Sequence, residues 1–276
     1  MKFRITVLCE NSVGRISGTL GEHGFSVLVE GGDGQEILFD TGQGATLLHN
    51  ANRMNKNLSH VSKVVISHGH YDHAGGLLPL LKDTGPKQVY GHPQIFSYRY
   101  RLKDTGESID IGIPYSQLDL EAAGATFDLS TEFRQIAPGI YLTGEVPRLT
   151  SFEEGDRGLF TDNNKSVDTA PDDQSMVLDT EKGLVVILGC CHSGLINTLD
   201  HIQRCMGRSD IFAVIGGTHL GFCGQNQLDR TVSEISKRGI KRLAVSHCTG
   251  FLASSRLFAK MPKEFQLAMV GYGMEV

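Results

Sequence analysis

Val64, Val65, Ile66, Ser67, His68, Gly69, His70, Tyr71, Asp72, His73 is a short apolar run that ends in three imidazoles and a carboxylate. A strand-sized run of β-branched residues followed at once by four ligand-type side chains reads as a metal site at the end of a strand. Imidazole and carboxylate together suit Zn, Fe or Mn better than Ca or Mg. On a helix, positions 68 and 70 would point to different sides, whereas on an extended loop residues two apart share a side and can grip one ion. Asp72 and His73 then face elsewhere. The spacing therefore fits two neighbouring ions better than one, with His68 and His70 on the first and Asp72 and His73 on the second.

The same arrangement recurs outward along the chain. Residues 184–188 form an apolar strand that runs into Gly189, Cys190, Cys191 and His192, with a helix expected from Ser193, as its cap, to about Arg204. Strands over 211–215 and 242–246 lead to His219 and His247. Before the histidine motif, alternation and glycine turns predict strands over 3–9, 25–30 and 36–40, then a helix over 45–54 and the motif's own strand over 63–67. A short helix over 74–81, a strand over 88–90 and a closing strand within 266–276 complete the reading. Histidines on loops above a rigid sheet are how α/β enzymes place chemistry. Strand meanders opening each half, with helices after the ligand-bearing strands, predict two sheets face to face with helices outside.

The chain has 276 residues, 40% of them hydrophobic, enough for one well-filled domain over 1–276. Two irregular stretches, 96–115 and 152–173, interrupt it as variable loop insertions, either lids over a site or plain surface loops. A net charge of −5 offers no broad basic field for nucleic acid. The first ten residues alternate like a strand and lack the apolar core of a signal peptide, so a cytoplasmic location is expected. No apolar stretch reaches the roughly 18 residues that span a bilayer. Cys9, Cys190, Cys191, Cys205, Cys223 and Cys248 form no CxxC pair. They read as free thiols, buried as small hydrophobes at strand ends in preference to metal ligation or redox chemistry, although Cys191, Cys223 and Cys248 lie close in sequence to proposed site residues. Oligomeric state leaves no mark that can be read.

His68, His70, Asp72 and His73 form the HxHxDH signature of the metallo-β-lactamase superfamily, which the chain resembles throughout its length. Phe39, Asp40, Thr41, Gly42 resemble that family's early Asp-Thr-Gly, His192 its third histidine and His247 its last. The resemblance implies an α/β fold, a four-layer αββα sandwich of two pseudo-symmetric halves. It also implies His68, His70 and His192 around a first ion, with Asp72, His73 and His247 around a second. Gly144 to Arg148, Asp173, Gln174 and the run from Gly189 through Asn197 are similar to a branch of metal-dependent hydrolases, some of them labelled as a dihydropterin-linked ribofuranosylaminobenzene 5′-phosphate synthase. That label would imply a pterin-type substrate and a condensation, though a shared fold does not carry over chemistry. One departure stands out. Where the family has an Asp that bridges both metals, this chain reads Gly216, Gly217, Thr218, His219, Leu220. Either His219 takes a metal position, or it faces substrate as a hydrogen-bond donor and the second ion binds weakly.

The expectation is a hydrolase with one or two divalent ions, Zn foremost and Fe or Mn as alternatives, acting on a small-molecule ester, lactone, phosphoester or related bond. The substrate would be anionic or pterin-like. Other readings are a synthase-type transferase, an iron-dependent oxidoreductase and a metal-containing binding protein without turnover. Asp72 resembles the family's dual-purpose Asp and would also steer a proton to the leaving group. Asp40 would fix a ligand histidine from behind, with a local turn as its alternative. Arg148 is a candidate anion ligand and His92 a candidate for the cleft, each with a structural alternative, a salt bridge to Glu145 or Glu153 in the case of Arg148. His23, His49, His60 and His201 have no partner legible in the sequence and are read as surface or helix residues.

Overall fold

The computed structural model describes residues 1–103, 105–161 and 166–276. Two seven-stranded sheets carry the fold. The first orders Gly273–Glu275, Phe3–Cys9, Ser26–Gly31, Glu36–Phe39, Lys63–Val65, Lys87–Gly91 and Ala125–Leu129 from edge to edge. The second orders Phe265–Leu267, Arg242–Ser246, Ile211–Gly217, Gly183–Leu188, Met176–Thr180, Ile140–Leu142 and Arg134–Ala137. In each sheet one flank is antiparallel and four consecutive strands are parallel.

Parallel strands are covered on both faces, so they read as unbroken apolar runs whose alternation shows only in what each residue touches. In Gly183–Leu188, Val185 and Ile187 join the core between the sheets, packed with Ile37, Phe39 and Val65 of the first sheet. Leu184, Val186 and Leu188 face the other way, onto Leu195, Leu199, Leu228 and Leu257 of the outer helices. On the far side Leu38, Val64 and Ile66 meet Leu47, Leu77 and Leu80. Three apolar layers thus separate four structural ones, helix, sheet, sheet, helix.

Local chemistry moves several boundaries. The helix expected over 74–81 is divided into Tyr71–Ala74 and Leu77–Thr84. Gly75 and Gly76 lie between, and a Cβ on Gly76 would stand 2.1 Å from the carbonyl oxygen of Thr41, so close approach of the Asp40 loop demands glycine there. Ser193 does not cap the following helix. Leu195–Met206 begins after Gly194, and the Glu153 carboxylate accepts from the amides of Ile196 and Asn197 at 2.8 Å each. The expected closing strand is two strands, Phe265–Leu267 on the edge of the second sheet and Gly273–Glu275 on the edge of the first.

The irregular stretches 96–115 and 152–173 supply a small third sheet of Leu159–Phe160, Tyr100–Leu102 and Ser108–Asp110, with positions 104 and 162–165 outside the described residues. This sheet lies against the histidine motif, since the Tyr71 amide donates to the Ile111 carbonyl at 3.0 Å. Among the described residues no helix is long and apolar enough to cross a membrane.

Candidate metal centre

The parallel strands of both sheets end at one edge of the stack, where open α/β sheets place ligands. Asp40 follows Glu36–Phe39, Ser67 and His68 follow Lys63–Val65, Cys190 and His192 follow Gly183–Leu188, His219 follows Ile211–Gly217, and His247 follows Arg242–Ser246. The turns that present them are tight. Asp40, Cys191, His219 and His247 have φ of 59°, 62°, 54° and 51°. Left-handed backbone of this kind costs a non-glycine residue on the order of 1–3 kcal/mol and is held only where the surroundings over-determine it.

His68, His70 and His192 form a first group, with ligand atoms within 4.8 Å of one another. His68 Nε2 is 2.9 Å from His70 Nδ1 and 3.3 Å from His192 Nε2. All three side chains are buried, and His70 Nε2 and His192 Nδ1 have no hydrogen-bond partner. Burial, reinforced by neighbouring imidazoles, holds His68 and His192 well below the usual histidine range, and burial pushes His70 down to about 3. Three neutral bases with converging nitrogens and unpartnered ring atoms are a donor set that a cation fits.

The second group surrounds Asp72, whose Oδ2 lies 3.2 Å from His247 Nε2, 3.1 Å from His23 Nε2 and 3.9 Å from His73 Nε2. His73 Nε2 is 3.3 Å from His247 Nε2 and 3.2 Å from Cys190 Sγ. Burial works against both charged forms here, but His73, His23 and His247 hold Asp72 well below the carboxylate range, while Asp40 and Asp72 raise His73 to about 9. The other ring nitrogens are anchored. His73 Nδ1 meets Asp40 Oδ2 at 2.7 Å, and His247 Nδ1 meets Asn11 Oδ1 at 2.8 Å. Such partners set the tautomer and aim Nε2 inward.

Asp40 also ties the groups together. It accepts from the Ser67 amide and hydroxyl at 2.7 Å each, and Ser67 Oγ stands 2.9 Å from His68 Nδ1. His219 packs its ring on His192 with centroids 4.2 Å apart, and its Nε2 is 3.3 Å from Asp156 Oδ2. Its remaining nitrogen, Nδ1, has no partner. Against burial, Asp156 raises His219 to about 9, and the same contact brings Asp156 down to about 2. Above these groups lies a narrow cleft of about 90 Å³, walled by Tyr71, Arg101, Leu159, His219 and Phe222.

His68, His70, Asp72, His73, His192, His219 and His247 all converge on this edge. Arg148 and His92 are engaged differently. The two terminal nitrogens of Arg148 donate to the carbonyls of His192 (2.7 Å) and Thr169, bracing the His192 loop, with no ion pair to Glu145 or Glu153. His92 Nε2 meets Glu145 at 3.0 Å and its Nδ1 accepts from the Gln94 amide, so it caps a turn away from the histidine groups. His23 is exposed, as read, but it does have a partner: its Nε2 contacts Asp72, and its ring lies 4.8 Å from that of His247. Asn11, Ser67 and Cys190 are further participants. Adjacency to His68 could have drawn attention to Ser67, but nothing local marks Asn11 or His23. Beneath the motif, buried Arg99 pairs with Asp168 and with Asp172 at 2.8 Å, and Asp172 accepts from the Gly69 amide at 2.8 Å, which pins the loop between His68 and His70.

A sequence profile of the metallo-beta-lactamase superfamily matches residues 20–190. Over 280 aligned residues, 97% of this chain and 95% of the relative, the chain is 30% identical to the 7,8-dihydropterin-6-methyl-4-(beta-D-ribofuranosyl)-aminobenzene-5'-phosphate synthase of Methanocaldococcus jannaschii. In three dimensions it is similar to a metal-dependent hydrolase of the beta-lactamase superfamily, with a TM-score of 0.85, 30% identity and 99% of each chain covered. The Zn(2+)-bound PqqB of Methylobacterium extorquens shares the fold at a TM-score of 0.60 and 14% identity, with 99% of this chain and 100% of the other covered. With its profile match extending over more than half of the sequence and whole-chain likeness in both sequence and structure, the chain belongs to the metallo-beta-lactamase superfamily, a fold that generally binds divalent metal ions.

Proposed function

We propose that the chain is a metal-dependent hydrolase that uses metal-activated water on a small anionic molecule carrying an ester, lactone or phosphoester bond. The observation that carries this reading is the buried first group, whose His68 Nε2, His70 Nδ1 and His192 Nε2 converge beside a second, carboxylate-centred group under one cleft. His68, His70 and His192 would hold one ion, and Asp72, His73 and His247 another. The nitrogen-rich donor set favours Zn, with Fe or Mn as alternatives. Bound ions supply Lewis acidity and lower the pKa of a coordinated water to roughly 7.

The protein's own residues do the rest. Asp40 and Asn11 hold His73 and His247 in the tautomers that leave Nε2 free. Asp72, kept ionised by its histidine neighbours, accepts a proton from the attacking water and passes it to the leaving group. Arg101, on the cleft wall and paired with Asp156 at 3.1 Å, would turn to the anionic end of the substrate, while Arg148 donates to two carbonyls and braces the His192 loop. Leu159 and Phe222 exclude water around the apolar part of the substrate.

A second reading is a condensation on a pterin-like substrate. It is favoured by the relative named as a synthase, which is 30% identical across 97% of this chain. One experiment separates the two. Chelator-stripped protein is reloaded with Zn, Mn or Fe(II) and assayed on a panel of aryl esters, lactones and phosphoesters, and in parallel for joining a dihydropterin to ribofuranosylaminobenzene phosphate. Hydrolysis abolished by chelator and restored by metal is the expected result. Condensation without hydrolysis would select the second reading, and metal-independent turnover would sink both.

A further inference from the structure

The bridging Asp expected near residue 216 has no room at Gly216 or Gly217. A Cβ on Gly216 would stand 2.2 Å from the Leu188 carbonyl oxygen, and a Cβ on Gly217 would stand 2.6 Å from Cys248 Sγ and 3.4 Å from Cys190 Cα. The space beside Gly217 is thus filled by the Gly189 carbonyl oxygen, 2.5 Å from that Cβ, and by two cysteines, Cys248 through its sulfur and Cys190 through its backbone. Cys190 is the more central of them. It shares one potential ligand group with His68 and His73, a second with His192 and His219, and a third with His247 and Cys248, in each case with ligand atoms within 4.8 Å of one another. Among the described residues no other side chain belongs to three such groups. Its thiol is buried and 3.2 Å from His73 Nε2.

We infer that Cys190 is a metal ligand, a thiolate placed between the two histidine groups where the family's carboxylate is missing. The inference rests on the reading of the site as a metal centre. On ion binding the S–H proton leaves to solvent and the sulfur lone pair bonds to the ion, since a coordinating thiol is deprotonated outright. A sulfur ligand turns the preference of the centre toward Zn and Fe(II) and away from Mn. Cys191, one residue on, lies in the apolar layer under the outer helices and takes no part.

The test uses the full chain, stripped and reloaded with Co(II), as wild type, Cys190→Ser and Cys248→Ser. Near-ultraviolet thiolate-to-cobalt charge transfer is expected in wild type and in Cys248→Ser but absent from Cys190→Ser. Cys190→Ser should also bind its second equivalent of ion more weakly by at least the order of tenfold that losing even an outer-shell partner costs. X-ray absorption of the Zn-loaded wild type, which needs no variant to fold, should show sulfur at about 2.3 Å. Charge transfer that survives in Cys190→Ser, or a Zn shell of nitrogen and oxygen alone, overturns the assignment. Loss confined to Cys248→Ser transfers it to Cys248 and overturns it equally. Wild type that takes up no ion fails the metal reading itself, which is a different result from ion bound without sulfur.

Discussion

His68, His70 and His192 are packed as neutral bases: burial drives their pKa values down, and one ring nitrogen each of His70 (Nε2) and His192 (Nδ1) meets nothing in the protein. His73 and His247, a few ångströms away, are anchored at Nδ1 by Asp40 and Asn11 and gathered around the carboxylate of Asp72. The first group lowers the cost of receiving a cation by holding no protons. The second has negative charge already in place, so without an ion it draws a proton onto His73 instead. If both groups hold ions as proposed, they therefore differ in what must leave before an ion enters.

The most damaging change should be in the first group. His70→Ala is expected to lower metal-dependent turnover by about 10²-fold or more and to remove one equivalent of ion, as checked by elemental analysis beside the rate. Retention of both would break the contrast by showing that the converging nitrogens of the first group are not the receiving end.

Proton competition gives the next effect in size. At neutral pH the second group must lose the His73 proton to bind, so its apparent affinity should rise by up to about tenfold per pH unit between pH 7 and 9, whereas the first group, with His70 near 3, should show no such slope. Competition against a chromophoric chelator measures both slopes. Asp40→Asn, which removes a carboxylate that raises His73, should flatten the steeper one, and equal slopes in wild type would overturn the distinction. The same shift has a consequence for folding. A histidine whose pKa rises from 6.5 to about 9 stabilises the ion-free protein fully below pH 6.5 and ceases to as pH climbs through 9, so denaturant midpoints of stripped protein should fall over that window.

The smallest effect should come from His23→Ala, which deprives Asp72 of one partner and leaves His73 and His247 in place. A loss between roughly threefold and tenfold in ion affinity, read by calorimetric titration, is the expected size for one hydrogen bond. A loss as large as that of His70→Ala would promote His23 to a ligand.

The His68 to His73 motif was legible because its members are neighbours in sequence and local spacing decides which of them share a side. His23 was not legible, since its links to the site are contacts with Asp72, His247 and Asn11 formed when the loop after Phe3–Cys9 folds over the strand ends. Choosing between Cys190 and Cys191 was beyond the sequence for a related reason. Neighbouring residues at a strand end face opposite layers, and the left-handed backbone at Cys191 fixes which one looks into the site. The helix at Leu195 shows the same limit: Ser193 stands where a cap is expected, but a carboxylate from Glu153 reaches the free amides first.

Ligand chemistry, the alternation that sorts residues between core layers, and the placement of histidines after strands were determined by sequence alone, because each depends on residue type and on periods of a few residues. Which ring nitrogens converge, which lack partners and which thiol lies between them were decided only by tertiary structure. Those contacts join loops from two separate sheets, and their distances follow from how the sheets stack and how each strand-end turn bends, neither of which is written in any one stretch of chain.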